Sequence, residues 1–192
     1  RDQALRLSTL VTDLLTLSRI ESQAGEIASR PLDLREPAGE SARMLSGAAE
    51  AKRISMEIEM PDTALTVAGD EEALRQVVNN LIDNAIKYTP EGGDITVFIS
   101  KKDQEIVSQV SDNGYGIPKE EQNKLFQKFF RASNVVKHIT DGTGLGLYLV
   151  KAIVESSGGK IWYKSEENKG TTFWFSLQVA GMQAKKGEVS LD

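Results

Sequence analysis

The chain has 192 residues and a formal net charge of −5, from 23 basic and 28 acidic side chains. No basic stripe stands out, so the charge pattern argues against a nucleic-acid surface. The absence of cysteine excludes disulfides and thiolate metal sites, and a single histidine excludes a histidine-rich metal centre. No apolar run is long enough to cross a bilayer. The length suits one domain with an appendage.

Residues 1–22 are predicted to form one helix. Leucines recur every three or four positions along it, in the heptad-like pattern of a helix that packs against a partner helix. We expect this apolar stripe to pack against another helix or another chain, because it is too wide to stay bare in water. The alternative is that the helix packs back on its own domain. The stripe comprises Leu7, Leu10, Val11, Leu14, Leu15, Leu17 and Ile20.

The next segment contains a connector and the first elements of a domain. Gly25, Pro31 and scattered polar residues interrupt any regular pattern after the first helix. Residues 31–34 are predicted to open the sheet of the domain as a short strand. The sequence then predicts a helix, a half-buried strand and a short strand, at residues 36–52, 55–59 and 65–70.

A second helix of interest is predicted over residues 70–88, with Asp70 as its N-cap. Asn80, Asn84 and Lys87 fall at positions i, i+4 and i+7, so one face carries two amides and a cation. Asparagine is a mediocre helix former, whereas its amide oxygen is a hard ligand for Mg²⁺, an ion that shares its coordination with phosphates. The lysine would neutralise phosphate charge. The alternative is a solvated polar face.

Two glycine clusters flank a long irregular segment. The first, residues 112–118, follows a predicted strand, and the second, residues 142–147, begins a predicted helix that extends to residue 156. Glycines allow the backbone to approach a ligand closely, and a helix N-terminus attracts anions. Together the clusters predict an anion site, although each alone is also typical of a turn. The region between them has little periodicity and indicates a mobile flap anchored by Phe126, Phe129 and Phe130.

The remaining pattern is one of strands. Residues 95–100 and 105–111 are predicted to form a hairpin, and residues 160–164 and 171–179 are predicted to be strands. Helices and antiparallel strands in mixed order indicate an α+β fold. We expect a two-layer sandwich with the helices on one face of the sheet, preceded by one long helix.

Five short motifs resemble the sequence boxes of the catalytic, ATP-binding domain of sensor histidine kinases. This family belongs to the GHKL superfamily, which also holds gyrase-like and mismatch-repair ATPases. The motifs occur in the order of the family and at similar spacing. Asp141 and Asn168 depart from the commonest pattern. The N box is matched by residues 80–89, the first glycine box by 112–117, the F box by 126–131, the second glycine box by 142–147 and the glycine-threonine box by 170–173.

The resemblance implies a Bergerat-type fold in which ATP lies between the helical layer and the flap. It identifies residues 1–22 as part of the second helix of a dimerisation and phosphoacceptor hairpin, residues 23–31 as a linker, residues 32–181 as the catalytic domain and residues 182–192 as a flexible tail. In the family the phosphoacceptor histidine lies on the first helix of the hairpin. We therefore expect it to precede this sequence in a longer kinase. His138, which lies in the flap, does not replace it.

The resemblance also implies roles for single residues. Asp112 is expected to accept the exocyclic amine of adenine, with help from Thr171 or Thr172 through water. Asn84 is expected to coordinate Mg²⁺, and Asn80, Asn84 and Lys87 form the expected catalytic set. The expected ATP-binding residues are Asn80, Asn84, Lys87 and Tyr88, then Asp112, Gly114, Gly116 and Ile117, then Arg131, then Gly142, Thr143, Gly144, Leu145, Gly146 and Leu147, and finally Thr171 and Thr172.

The function implied is transfer of the γ-phosphate of Mg·ATP to the hairpin histidine, for relay to an aspartate of a response-regulator receiver domain. The ATPases of the superfamily carry a water-activating glutamate where this chain has Asn80, so transfer is favoured over hydrolysis. We expect this chain alone to bind ATP and to turn it over poorly.

The expected partners are ATP or ADP, the chain's own hairpin in a homodimer and the receiver domain, with no nucleic acid. The expected location is the cytoplasm. The alternatives are an anti-sigma-type protein-serine kinase and a nucleotide-binding docking module without turnover. The leucine-striped first helix counts against the former, and the intact motifs count against the latter.

Overall fold

The structure, a computed structural model, describes residues 2–22, 30–136 and 142–180. Helix α1 (Asp2–Ser22) precedes strand β1 (Arg30–Asp33), helix α2 (Arg35–Ala51) and strands β2 (Ser55–Glu59) and β3 (Thr66–Gly69). Helix α3 (Glu71–Tyr88) is followed by strands β4 (Asp94–Lys102) and β5 (Glu105–Asp112). A 3₁₀ helix (Lys119–Lys124), the short helix α4 (Ser133–Val136), helix α5 (Gly146–Ser156) and strands β6 (Lys160–Glu166) and β7 (Gly170–Gln178) complete the described elements.

Five of the strands form the main sheet, in the order β2-β4-β5-β7-β6. Strand β2 is parallel to β4, and the other neighbouring pairs are antiparallel. Side chains alternate between buried and more exposed along β4 and β5, so one face of the sheet meets the core. Helices α2, α3 and α5 contact this sheet and share the core cluster with it. The predicted two-layer α+β sandwich is confirmed.

The first strand does not join the main sheet. Strand β1 pairs with β3 in a separate two-stranded antiparallel sheet. The prediction that residues 31–34 open the sheet of the domain is therefore wrong. Asp33 accepts hydrogen bonds from the backbone N–H groups of Arg35, two residues later, and of Leu65, which immediately precedes β3, each at 3.1 Å. These bonds turn the chain into α2 beside β3.

Strand β2 is more exposed than its alternating sequence predicts. Ile58 is 39% exposed, and Met56 is only half-buried. The strand lies at the edge of the main sheet. An edge strand is covered from one side only, so a part of its apolar face stays in water.

Helix α3, which carries the two amides and the lysine, is fixed at both ends. The Asp70 carboxylate accepts a hydrogen bond from a backbone N–H of the first turn at 2.8 Å, as predicted for the N-cap. At the other end, the Lys52 ammonium donates to the carbonyls of Ile86, Lys87 and Thr89. These carbonyls have no partner within the helix, so Lys52 completes its C-terminus.

Helix α1 packs against α5 through one face and exposes another. Leu17 lies in the core and Leu10 is half-buried. One face of the helix thus packs back on the chain's own domain, and packing of the exposed apolar face against a partner helix stays a prediction. No helix in the described ranges is both long enough and apolar enough to span a membrane. The exposed apolar residues of α1 are Leu7, Val11, Leu14 and Leu15.

Candidate functional site

A cavity of about 360 Å³ opens between α3, the start of α5, the adjoining ends of β5 and β7 and the segment that links β5 to α5. Its volume lies in the range of small-molecule and cofactor sites. Residues from all five motifs line it, so the fold brings the motifs together. The residues expected from the sequence that line the cavity are Asn80, Asn84, Lys87, Tyr88, Asp112, Gly116, Ile117, Arg131, Gly142, Thr143, Gly144, Gly146, Leu147 and Thr171.

Gly114, Leu145 and Thr172 were also expected at the site, and they do not line the cavity. Leu145 is buried, with 2% exposure. A Cβ atom on Gly114 would lie 2.2 Å from the carbonyl oxygen of Tyr88, so this glycine packs against the end of α3. The Thr172 hydroxyl pairs with the Ser111 hydroxyl at 2.8 Å, on the other face of the sheet. Successive side chains of a strand alternate, which is why the preceding threonine faces the cavity instead.

Asp112 ends strand β5 and supplies a buried carboxylate to the cavity. Its Oδ1 accepts hydrogen bonds from the backbone N–H groups of Gly114 at 2.9 Å and Thr171 at 3.2 Å. Within the described ranges both bonds go to this one oxygen, which leaves Oδ2 for a ligand. Burial raises the pKa of Asp112 to about 6, against the opposing effect of the two backbone hydrogen bonds. We call this part of the cavity, with Asp112, Thr171 and Tyr88, the Asp112 end.

The turn after β5 requires glycine at position 116. Gly116 has a φ of +62°, and a Cβ atom there would lie 2.0 Å from the carbonyl oxygen of Glu166. The next residue, Ile117, donates its N–H to the Ser165 hydroxyl at 2.9 Å. That hydroxyl is also 2.9 Å from the Thr171 hydroxyl. The first glycine box is therefore fastened to the β6–β7 hairpin, which holds the Asp112 end in place.

Asn80, Asn84 and Lys87 lie along the wall that α3 provides. Nδ2 of Asn80 is buried and has no hydrogen-bond partner among the residues that the structure describes. A buried donor without a partner costs free energy, and a ligand oxygen that accepts its hydrogen bond would remove this cost. Lys87 forms an ion pair with Asp83 one turn earlier, and Asp83 also lines the cavity.

A second part of the cavity, which we call the Thr143 end, comprises the second glycine box and the start of α5. The Thr143 hydroxyl accepts the backbone N–H two residues later at 3.2 Å and so turns the chain into the helix. Gly144 has a φ of +71°, and a Cβ atom there would come within 2.7 Å of the Phe129 backbone. A Cβ atom on Gly146 would stand 3.1 Å from Oδ1 of Asn80. The start of α5 thus lies against the polar face of α3, where its N–H groups would attract an anion.

Several wall residues are not identified by the sequence. Asp13 of α1 is 6% exposed and lies outside the five motifs. An acid on the same helix face as Leu10 and Leu17 is the signal that could have found it. Phe130 lines the cavity, although the sequence assigns it to anchoring of the flap. The irregular segment before α5 gave no periodicity from which to choose Leu125, Ala132 and Val135. Ala85 of α3 and Phe173 of β7 also line the cavity, and both lie within motifs that the sequence identifies.

Some predictions fall on residues that the structure does not describe. His138 and Asp141 lie outside the described ranges, as do residues 23–29 of the predicted linker and the whole predicted tail. Within the described ranges, no group of three or more His, Cys, Asp or Glu side chains could hold a metal ion.

A profile of the family described as histidine kinase-, DNA gyrase B- and HSP90-like ATPase matches residues 69–181, more than half of the chain. The chain belongs to this family. It is 34% identical over 93% of its length to the adaptive-response sensory kinase SasA of Synechocystis sp. and 33% identical over 92% of its length to the signal transduction histidine-protein kinase BarA of Escherichia coli. The chain spans 46% of SasA and 20% of BarA, which is less than half of either relative.

Solved structures of histidine kinases share the fold. Full-length ShkA in complex with AMPPNP matches with a TM-score of 0.78 at 29% identity, over 92% of this chain and 36% of that chain. ThkA in complex with the response regulator protein TrrA matches with a TM-score of 0.71 at 27% identity, over 92% of this chain and 48% of that chain. The predicted class, the catalytic ATP-binding domain of a sensor histidine kinase, is confirmed, and neither alternative is favoured.

Proposed function

We propose that this chain binds Mg·ATP in the cavity and that the protein to which it belongs transfers the γ-phosphoryl group to a histidine. The observation that carries the proposal is a single cavity that joins the buried carboxylate of Asp112 to the start of α5 at Gly146. A carboxylate can accept the amine of a base, and a helix N-terminus can hold phosphates. The AMPPNP bound to ShkA, which has the same fold, supports a nucleoside triphosphate as the ligand.

The Asp112 end would bind the base. Oδ2 of Asp112 would accept a hydrogen bond from the exocyclic amine of adenine. Guanine carries a carbonyl oxygen at that position, which is itself an acceptor and cannot donate to the carboxylate. Ile117 and Phe173 add apolar surface to the wall of the cavity, suited to the faces of a purine ring. The structure favours Thr171 over Thr172 as the threonine that assists. These features predict a preference for adenine.

The Thr143 end and α3 would bind the phosphates. Nδ2 of Asn80 is a donor that lacks a partner among the described residues, and a phosphate oxygen would supply one. Lys87 would exchange its partner Asp83 for a phosphate. Arg131 also lines the cavity and adds a second cation. Positive charges and N–H groups from three segments would thus surround the triphosphate.

The donor set fits a magnesium ion that is shared with the nucleotide. Asn84 offers an amide oxygen to the cavity, a ligand type that Mg²⁺ accepts together with waters and phosphate oxygens. A bound ion would neutralise charge on the phosphates during transfer. We therefore propose Asn84 as the protein ligand of the ion.

In the proposed reaction the bond between the γ-phosphorus and its bridging oxygen breaks, and a P–N bond forms to the acceptor imidazole. ADP leaves, and the imidazole proton passes to a base on the acceptor side. Asn80 cannot take a proton from water, so it supplies no base for hydrolysis. The contribution of this chain is positioning and charge neutralisation, the main sources of catalysis in phosphoryl transfer.

The proposal extends to the partners and to the division of the chain. The exposed apolar surface of α1 fits a partner helix in a dimerisation hairpin. This supports a hairpin helix at residues 1–22. The rest of the proposed division is a linker at 23–31, whose last two residues lie in β1, a catalytic domain at 32–181 and a tail at 182–192. The response regulator bound to ThkA supports a receiver domain as the next acceptor. The use of ATP supports a cytoplasmic location.

Calorimetric titration with AMPPNP, in Mg²⁺ and in EDTA, tests the proposal. We expect saturable binding in Mg²⁺ that weakens by at least about tenfold in EDTA. Asn84→Asp should change the Mg²⁺ dependence, because a carboxylate replaces the amide ligand. Asn123→Asp, the same change at an exposed residue of the 3₁₀ helix, should leave it unchanged. Absence of AMPPNP binding in both conditions would contradict the proposal.

A further inference from the structure

A carboxylate from helix α1 forms part of the wall of the proposed phosphate site. Asp13 is 6% exposed, although aspartate is rarely buried this deeply. It lines the cavity together with Asn80, Lys87 and Thr143. Helix α1 precedes the segment matched by the family profile, which begins at residue 69. A helix outside the segment matched by the family profile thus adds a carboxylate to the wall of the site proposed to bind phosphates.

Asp13 connects α1 to two elements of the site. Its Oδ1 accepts a hydrogen bond from Nε2 of Gln76 on α3 at 3.3 Å, and its Oδ2 accepts one from the Thr143 hydroxyl at 3.5 Å. Both bonds are long and have neutral donors, so they offset only a part of the cost of burying the charge. Burial raises the pKa of Asp13, and the hydrogen bonds from Thr143 and Gln76 and the charge of Lys87 act in the opposite direction.

The contact with Thr143 places this charge where a phosphate is proposed to bind. The same hydroxyl accepts the N–H of Leu145 immediately before α5. The carboxylate therefore lies near the N-terminus of α5, where negative charge is favoured. Lys87, a proposed phosphate ligand, acts on the same carboxylate. Asp13 thus interacts with the groups that would hold the phosphates.

We propose that Asp13 acts as an internal anion, which docks helix α1 on the phosphate site when no nucleotide is bound. The phosphates of a bound nucleotide displace Asp13 from this site. This inference rests on the proposed function, because it takes the Thr143 end as the phosphate end. Two like charges in a partly buried site repel one another more strongly than in water. Docked α1 and bound phosphate therefore oppose each other. The coupling is reciprocal, so nucleotide binding releases α1 and removal of the charge strengthens nucleotide binding.

The first test compares the affinities of AMPPNP, AMP and adenosine for three chains. These are the unmodified chain, Asp13→Asn and the control Asp103→Asn, which removes an exposed charge from the β4–β5 turn. Asp103 has a φ of +55°, a conformation that asparagine adopts readily. We expect Asp13→Asn to bind AMPPNP roughly tenfold more tightly, AMP with a smaller gain and adenosine within about twofold of the unmodified chain. Asp103→Asn should resemble the unmodified chain for all three ligands.

The second test measures the helix itself in the unmodified chain, so it does not depend on the folding of a variant. Hydrogen exchange of the backbone amides at residues 10–20 is followed with AMPPNP and Mg²⁺, with adenosine and without ligand. We expect AMPPNP to raise the exchange rates by roughly tenfold and adenosine to leave them unchanged. A purely structural role of Asp13 would not make the response depend on the phosphates.

The outcomes separate this inference from the proposed function. An equal change in the affinities of all three ligands for Asp13→Asn, weaker AMPPNP binding by that variant, or slower exchange in α1 with AMPPNP overturns the inference alone, because nucleotide still binds. Failure of every chain to bind any of the three ligands overturns the proposed function and this inference together.

Discussion

The two ends of the cavity are built in different ways. At the Asp112 end, Asp112 and Thr171 are paired residues on the neighbouring strands β5 and β7, so the register of the sheet fixes their separation. At the Thr143 end, α1, α3, α5 and a glycine-rich segment meet through side-chain packing and hydrogen bonds between separate elements, such as the 3.5 Å hydrogen bond between Thr143 and Asp13. The sheet therefore preforms the end proposed to bind the base. The end proposed to bind phosphates depends instead on how separate elements pack together.

This difference shows how one cavity can combine a fixed specificity with an adjustable affinity. A hydrogen bond from the ligand to a preformed acceptor costs little reorganisation, so the acceptor discriminates between bases. Charges on separate helices can instead respond to the charge of the ligand. We expect substitutions at the Asp112 end to change which ligand binds and substitutions at the Thr143 end to change how tightly it binds.

The largest effect is expected for Asp112→Asn. The variant loses the charged acceptor for the adenine amine, and AMPPNP affinity should fall about 100-fold. Calorimetric titration measures this, with Asp103→Asn as the control for loss of one charge. The folded state should survive, because burial raises the pKa of Asp112 and its charge is therefore a cost to folding at neutral pH. An unchanged affinity would remove Asp112 from the binding site.

A smaller effect is expected for Gly144→Ala at the other end. Both Gly144 and Gly92 have positive φ, +71° and +77°, so alanine at either position costs about 1–2 kcal/mol of stability. A Cβ atom on Gly144 would also collide with the Phe129 backbone, whereas nothing lies within 4 Å of one on Gly92. Gly144→Ala should therefore lose roughly tenfold in AMPPNP affinity. Equal affinities for the two alanine variants would show that the close packing of Gly144 against the Phe129 backbone is irrelevant to binding.

The pH dependence of adenosine binding should report on Asp112. Its pKa of about 6 means that the ionised acceptor is lost as the pH falls through about 6, so adenosine affinity should fall roughly tenfold between pH 7 and pH 5. Adenosine is chosen because it has no phosphate that titrates in this range. Asp112→Asn should show a flat profile over the same interval, and a flat profile for the unmodified chain would contradict the assignment.

The sign of the same shift also predicts stability. The pKa of Asp112 in the folded chain lies above its ordinary value of 3.8. The contribution of Asp112 to the free energy of unfolding is therefore fully present below pH 3.8, and it is lost as the pH rises through about 6. Urea unfolding of the unmodified chain and Asp112→Asn at pH 5 and pH 7 measures this. The stability of the unmodified chain relative to the variant should be higher at pH 5.

The smallest effect on binding is expected for Lys52→Met. Lys52 satisfies three carbonyls at the C-terminus of α3, and its loss should lower the free energy of unfolding by about 1–2 kcal/mol. The affinity for AMPPNP should stay within about threefold, because the lysine does not line the cavity. Urea unfolding tests the first expectation, with the exposed Lys102→Met as its control. A large loss of affinity would show that ligand binding depends on the contacts of Lys52 with the C-terminus of α3.

Residues whose role follows from local spacing could be predicted from the sequence. Asn80, Asn84 and Lys87 share a face of one helix, and the Asp70 cap is a contact within one turn. The helical spacing alone is sufficient to place such residues together. The glycine clusters were recognisable for a similar reason, since each lies at the boundary of a regular element.

Features that depend on contacts between distant segments could not be predicted. The choice between Thr171 and Thr172 requires the register of β7, and a shift of one residue exchanges the two faces of a strand. Strand β1 could pair with the main sheet or with β3, and the observed pairing with β3 is held by contacts between distant residues, among them the hydrogen bond from Leu65 to Asp33. Asp13 reaches the cavity only because α1 packs on α5, which no pattern within α1 specifies.

Selection of adenine by Asp112 is measured most directly by comparing AMPPNP with GMPPNP on the unmodified chain, by calorimetry in Mg²⁺. The two ligands carry the same phosphates, so the Thr143 end should treat them alike. They differ in the group at the position from which Oδ2 of Asp112 is proposed to accept a hydrogen bond, an amine in adenine and a carbonyl oxygen in guanine. We predict that GMPPNP binds about 100-fold more weakly than AMPPNP or more. Equal affinities would contradict the claim that a preformed carboxylate at Asp112 selects adenine.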